Sequence, residues 1–94
     1  MTTPQYLNLY LDHAKVGCGW RAYVLIRVGR KWARLVCTET AETLSIEVKE
    51  LRGARPLPFK RTRLARRLRQ VARDYGQEQS AGVRQAIAML KAAA

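Results

Sequence analysis

The sequence is poor in the groups from which most catalytic centres are built. It holds one histidine, two cysteines and seven acidic residues in 94. Cys18 and Cys37 are 19 apart and, with His13 alone, do not match the ligand spacing of a tetrahedral zinc site. Cys18 and His13 are near enough in sequence to pair as a nucleophile and its base, but no third group is at hand to orient them. Gly17-Cys18-Gly19 lacks the Gly-Lys-Ser/Thr ending of a phosphate loop. The expectation is a non-enzyme with no cofactor and no metal. Long apolar runs are absent too. Nothing approaches the roughly 18 consecutive apolar residues of a membrane-spanning helix. Met1–Gln5 has no basic segment leading into an apolar one, so a cytoplasmic protein with reduced thiols is expected, a single Cys18–Cys37 disulfide being the alternative. The length excludes two-domain enzymes and full dinucleotide-binding or barrel-enzyme folds, and leaves one domain, 1–94, with a thin core.

Positive charge is what the chain has in excess. Eighteen Lys and Arg against seven Asp and Glu leave a formal net charge of +11. With 48% apolar residues the chain is too hydrophobic for a disordered basic tail. A folded domain this cationic attracts anions at long range, so phosphate backbones, anionic lipid heads and acidic protein surfaces are the partners to weigh.

The first half alternates with a period of two. Leu7, Leu9 and Leu11 share one face of a strand over Gln5–Asp12, and His13–Gly19 reads as a loop. Trp20, Ala22, Val24, Ile26 and Val28 share a face of the next strand, opposite Arg21, Tyr23, Leu25 and Arg27. Gly29-Arg30 is placed to be a two-residue hairpin turn with glycine first. Lys31–Thr38 continues as a strand with Ala33, Leu35 and Cys37 on one side; Glu39–Glu42 is a turn; Thr43–Glu50 is a fourth strand with Leu44, Ile46 and Val48 inward. Gly53, Pro56 and Pro58 keep 51–59 extended. The period then changes. Leu64, Leu68, Val71, Ala72 and Tyr75 fall on one side of a helix over Thr62–Tyr75, with Thr62 as N-cap and Gly76 as its stop. A last helix over Ser80–Ala92 carries Val83, Ala86, Ile87 and Leu90.

These elements predict an α+β fold: an antiparallel four- to five-stranded meander over 5–59, then an arginine-rich helix and a C-terminal helix over 60–94. Short strands need covered or closed edges. Either the sheet curls into a small barrel or both helices lie on one open face. Bulky Trp20, Tyr23 and Trp32 on more than one sheet face, with Gly17, Gly19 and Gly29 for sharp bends, favour the barrel. The run GWRAYVLIRVGRKWARLVCTETAETLSIEVKEL resembles an SH3-like small barrel of the KOW or Tudor type, with a closing turn at Lys49–Leu51. That resemblance covers 5–59 and implies binding of nucleic acid or peptide through the loops. The compact, Ala- and Arg-rich format also resembles small proteins of phages or plasmids from GC-rich hosts.

The basic residues are concentrated. Arg52, Arg55, Lys60, Arg61, Arg63, Arg66, Arg67, Arg69 and Arg73 place nine of the 18 cations in 22 residues without an acid among them. Such a run repels itself, and arginine in the first helical turns opposes the dipole, so an external anion is expected to receive it. The planar guanidinium suits phosphate. Arg30, Lys31 and Arg34, near Arg21 and Arg27, form a second basic group around the hairpin, with Tyr23 and Trp32 between them. Trp20 and Trp32 are expected in the core or against the helices, base stacking being the alternative. The run itself has a plainer reading as a solvated helix face, and Glu39, Glu42, Glu47 and Glu50 are able to pair with part of it, though four carboxylates cannot offset nine cations. The leading expectation is a nucleic-acid-binding protein, DNA or RNA, serving a phage or mobile element. An accessory or inhibitor that docks on an acidic host-protein surface is the alternative. The apolar stripe of Leu64, Leu68, Val71 and Tyr75 lacks Trp and Phe, so a membrane surface is not expected.

Overall fold

The computed structural model describes residues 6–92 apart from Lys15 and Pro58. The N-terminal stretch read for export, with Gln5 expected to open the first strand, and the last two alanines lie outside the described residues. Four strands, β1 (Tyr6–His13), β2 (Gly17–Val28), β3 (Trp32–Cys37) and β4 (Thr43–Glu47), form one antiparallel sheet in the order β1-β2-β3-β4. A 3-10 helix over Val48–Gly53 follows, then α1 (Arg61–Asp74) and α2 (Ala81–Ala92). The fold is α+β, and the sheet is open. Among the described residues no helix is long and apolar enough to cross a membrane.

Both faces of the sheet are covered, which is why β2 and β3 carry apolar residues at consecutive positions. One face buries Leu7, Leu9 and Leu11 of β1 with Tyr23, Leu25, Leu35, Cys37, Leu44 and Ile46. The twist of the strands and the 3-10 segment, through Val48, Leu51 and Ala54, shield it. The other face buries Val24, Ile26 and Val36 beneath Leu64, Ala65, Leu68 and Ala72 of α1 and Val83, Ala86 and Leu90 of α2. The edge strand β1 is engaged by the chain beyond the 3-10 helix. Asn8 N–H donates to Arg55 O at 2.8 Å and Arg55 N–H to Asn8 O at 2.7 Å.

Several local expectations shift. The loop expected over His13–Gly19 is shorter, because Gly17, with φ 78°, already pairs with His13, and Val16 is buried. The fourth strand ends at Glu47, where the Glu47 N–H donates to the Glu50 carboxylate at 3.1 Å and the chain turns into the 3-10 helix. The hairpin turn is Arg30-Lys31, since Gly29 N–H donates to Trp32 O at 2.8 Å, and Gly29 is not in the left-handed region. The cause lies upstream. Leu25 pairs with Leu35 but Arg27 with Arg34, so a β-bulge leaves Ile26 extra and reverses the alternation. Val28 therefore leaves the Val24–Ile26 face and is exposed. Helix α1 starts one residue early, with Lys60 as N-cap and no side-chain cap, so Thr62 lies inside the helix. Gly76, at φ 67°, does stop it, and Tyr75 ends up exposed instead of buried. Ser80 stands before α2 and its hydroxyl accepts from Val83 N–H at 3.5 Å.

Trp20 and Trp32 are not core residues: they are 43% and 54% exposed. Small and β-branched side chains, Ala22, Val24, Ile26 and Val36, take up the contact with two short helices. Trp20 lies near one end of β2, and Trp32 opens β3 beside the hairpin turn.

Candidate functional site

Helix α1 sorts its arginines by angle. Its inner face is Leu64, Ala65, Leu68 and Ala72, buried against the sheet and α2. At about 100° per residue, Arg66, Arg69 and Arg73 fall within one sector of the outer surface and Arg63 and Arg67 within another, the two lying on either side of the line directly away from the buried face. Arg66, Arg69 and Arg73 are exposed, and among the described residues no carboxylate lies within ion-pair distance of them. The nearest acid in sequence, Asp74, accepts a hydrogen bond from the Gln70 side chain at 3.0 Å.

Arg63 and Arg67 are engaged within the fold. Arg67 reaches Glu39 at 3.6 Å and Arg21 reaches the same carboxylate at 3.7 Å. Glu39 is held there by its neighbour: both the N–H and the hydroxyl of buried Thr38 donate to Ala22 O, at 3.0 and 2.9 Å. The Arg63 guanidinium lies 4.9 Å from the centre of the Phe59 ring, and that of Arg55 lies 4.3 Å from the Trp20 ring. Tyr10 meets Trp20 edge-on at 5.8 Å. The Tyr10 hydroxyl in turn lies 2.6 Å from the Cys18 thiol, a hydrogen bond that raises its pKa above the ordinary value.

Trp20, Arg21, Glu39, Phe59, Arg63 and Arg67 border a groove of about 340 Å³ between β1, β2, the Thr38–Glu39 corner, Leu57, Phe59 and the start of α1. Ala22, Leu57 and Leu64 supply its apolar lining; Trp20 and Phe59 supply rings; Arg21, Arg63, Arg67 and Glu39 supply charge.

The expected basic run is therefore divided in space. Arg52 stands exposed on the 3-10 helix, which packs against the other sheet face; Lys60 is exposed at the start of α1, and Arg61 is half-buried. Arg30, Lys31 and Arg34 are exposed at the hairpin, where Lys31 Nζ sits 5.9 Å from the Trp32 ring. Arg34 faces Arg27 directly across the ladder, a like-charged pair that destabilises a sheet. The hairpin lies at the far end of β2 from the groove, roughly 25 Å along the strand at about 3.3 Å per residue. The pairing of Glu39 with the arginine helix is as expected, through Arg67, while its sharing with Arg21 and the lining residues Phe59 and Asn8 were not foreseen. Only the aromatic–arginine neighbours in sequence hinted at the stacking.

Cys18 is exposed and Cys37 is buried beside Tyr23, both as free thiols. Among the described residues no three metal-ligating side chains come together. Comparison of the chain with protein-family models, curated proteins and solved structures gives no match. Chemically, the arrangement offers an open row of guanidinium groups for anions and, beside it, a partly charge-balanced groove with aromatic rings.

Proposed function

We propose that the chain is a non-catalytic nucleic-acid-binding protein, an accessory of a phage or mobile element, that grips DNA or RNA by its phosphates through α1. One observation supports this above the others: Arg66, Arg69 and Arg73 line one exposed face of a helix with no ion-pair partner among the described residues. Helical repeat places the three within about 10 Å along the axis, so their mutual repulsion is relieved best by a polyanion. Guanidinium groups meet phosphate oxygens through paired hydrogen bonds. The cations at Lys60, Arg30, Lys31 and Arg34 add to the field that attracts it.

In the same terms, residues 5–59 are read as an SH3-like small barrel whose fifth strand is reduced to the Asn8–Arg55 bridge. The order of four strands, 3-10 helix and return to β1 supports that reading.

The test is direct binding of labelled duplex DNA, single strands and RNA between about 50 and 200 mM salt. Binding that weakens with a log–log slope near −0.9 for each phosphate contacted on duplex is expected. No binding to any of the three at about 50 mM salt overturns the reading. Retention of a protein partner from nuclease-treated lysate, with no nucleic acid bound, assigns the charge to an acidic protein surface.

A further inference from the structure

We infer that the groove beside α1 takes an unpaired nucleobase, making the protein selective for single-stranded nucleic acid; this rests on the phosphate-binding reading of α1. The groove is a poor seat for a phosphate. Glu39 already shares its charge with Arg21 and Arg67, at 3.7 and 3.6 Å, and would repel a second anion. It is a good seat for a flat ring. Its lining joins Ala22, Leu57 and Leu64 to the Trp20 and Phe59 rings, both more than a third exposed and so reachable by a ligand. Each ring has a guanidinium against it, Arg55 at 4.3 Å and Arg63 at 4.9 Å, and such ring–arginine pairs give a base a stacking surface and a positive rim at once. The volume, about 340 Å³, sits at the small end of ligand sites, which run from roughly 300 to 1,000 Å³, and suits one ring system more than a peptide helix.

Asn8 and Glu39 add hydrogen-bonding groups to the lining, so a base edge finds an amide and a carboxylate there. A duplex presents no free base, and its rigid backbone would meet only the open row of Arg66, Arg69 and Arg73. A single strand can place phosphates on that row and turn a base into the neighbouring groove. The flank position of Arg63, between row and groove on the same helix, fits a chain that passes from one to the other.

The experiment measures binding of short fluorescein-labelled oligothymidylate, oligouridylate and a duplex of similar length by anisotropy, for the wild type and for a Trp20→Ala/Phe59→Ala variant. Oligothymidylate or oligouridylate is expected to bind more tightly than duplex. The double variant should lose about tenfold or more on the single strand, the worth of one stacked base, and keep its duplex affinity. The two single-strand arms decide whether deoxyribose or ribose is preferred. A second readout is independent of the variant's folding. Trp32→Phe leaves Trp20 as the one tryptophan of two, and its fluorescence should change on adding oligothymidylate or oligouridylate but not duplex. Equal affinity for single strand and duplex with no Trp20 response overturns the groove inference and leaves the phosphate reading standing. Failure of all three nucleic acids to bind removes both.

Discussion

Two sets of arginines meet around α1 and are held in opposite ways. Arg63 and Arg67, with Arg21 and Arg55 from the sheet side, rest on Phe59, Glu39 and Trp20. Arg66, Arg69 and Arg73 have no ion-pair partner among the described residues. The difference comes from rotation about the α1 axis and not from residue type. On the flank that meets Phe59 and the Thr38–Glu39 corner, the chain supplies a ring and a carboxylate; on the other flank, charge accumulates without an ion-pair partner among the described residues. A solvated arginine face is common in proteins, and acids at helix spacing relieve its self-repulsion. Here the nearest acid in sequence, Asp74, accepts a hydrogen bond from Gln70. The engaged set shapes a surface, and the open set supplies its attraction.

The largest effect that separates the sets is expected from Arg66→Ala/Arg69→Ala/Arg73→Ala. Nucleic-acid affinity should fall on the order of a hundredfold at about 0.1 M salt, and the salt slope should shrink by about 0.9 for each arginine that meets a phosphate. Folding stability should stay level or rise slightly, because like charges at helix spacing are removed. Anisotropy over a salt series and urea denaturation measure the two. Unchanged affinity would move the binding face to the hairpin or to the engaged set.

Arg21 shows the limits of being engaged. Its Nε is buried without a hydrogen-bond partner among the described residues, and so is the nearby Tyr23 hydroxyl. Burial pushes the Tyr23 pKa up to about 12, against the favourable field of Arg21. A phenol whose folded pKa lies above its unfolded value of about 10 contributes stability that is complete below pH 10. That contribution is lost as pH rises from about 10 to about 12. Tyr23→Phe removes the titrating group and an unsatisfied hydroxyl together. The variant should be as stable as the parent at pH 7 or more stable by up to about 1 kcal/mol, and should hold its stability better above pH 10. Thermal melts at stepped pH test this; a variant clearly less stable at pH 7 would mean that the hydroxyl has a partner.

Glu39→Gln releases two engaged arginines at once. Both pairs are at least partly exposed, so the stability loss should be no more than about 1 kcal/mol. Affinity for duplex DNA, which presents no base to the groove, should rise a few-fold, because Arg21 and Arg67 then join the open charge. On oligothymidylate or oligouridylate the gain should be smaller, since a carboxylate facing a base edge is lost; a fall on duplex would show that the Arg21–Glu39–Arg67 cluster positions the phosphate-binding face.

The two sets could not be separated in the sequence. The period-two rhythm of Leu7, Leu9 and Leu11 and the three-four spacing of Leu64, Leu68 and Val71 were legible, because each reports a single face of a single element. So was the crowding of cations between Arg52 and Arg73. What that run would meet was not. Phe59 precedes Arg63 by one helical turn, but Trp20 and Glu39 come from distant segments and reach α1 only after Thr38 bonds to Ala22 and the helix packs on Val24 and Val36. The bulge at Ile26 leaves no mark in composition, since Leu25, Ile26 and Arg27 continue an ordinary apolar-polar pattern. It nonetheless moves Val28 and the hairpin turn. The exposure of Trp32 follows from where two short helices end, a length that no local pattern states.

The smallest expected effect is the sharpest test of the division. Arg55→Gln removes a cation and its stack on Trp20 while leaving the two backbone hydrogen bonds to Asn8 in place. An exposed cation–π contact contributes about 0.5–1 kcal/mol, so a loss near the lower figure is expected in urea denaturation. Because Arg55 is engaged with Trp20, the slope of affinity against salt should hold on duplex DNA, where only phosphates are met. A slope reduced by about 0.9 would instead place Arg55 on a phosphate. The engaged set would then be defined by Glu39 alone, with the ring-stacked arginines free to swing outward when a polyanion arrives.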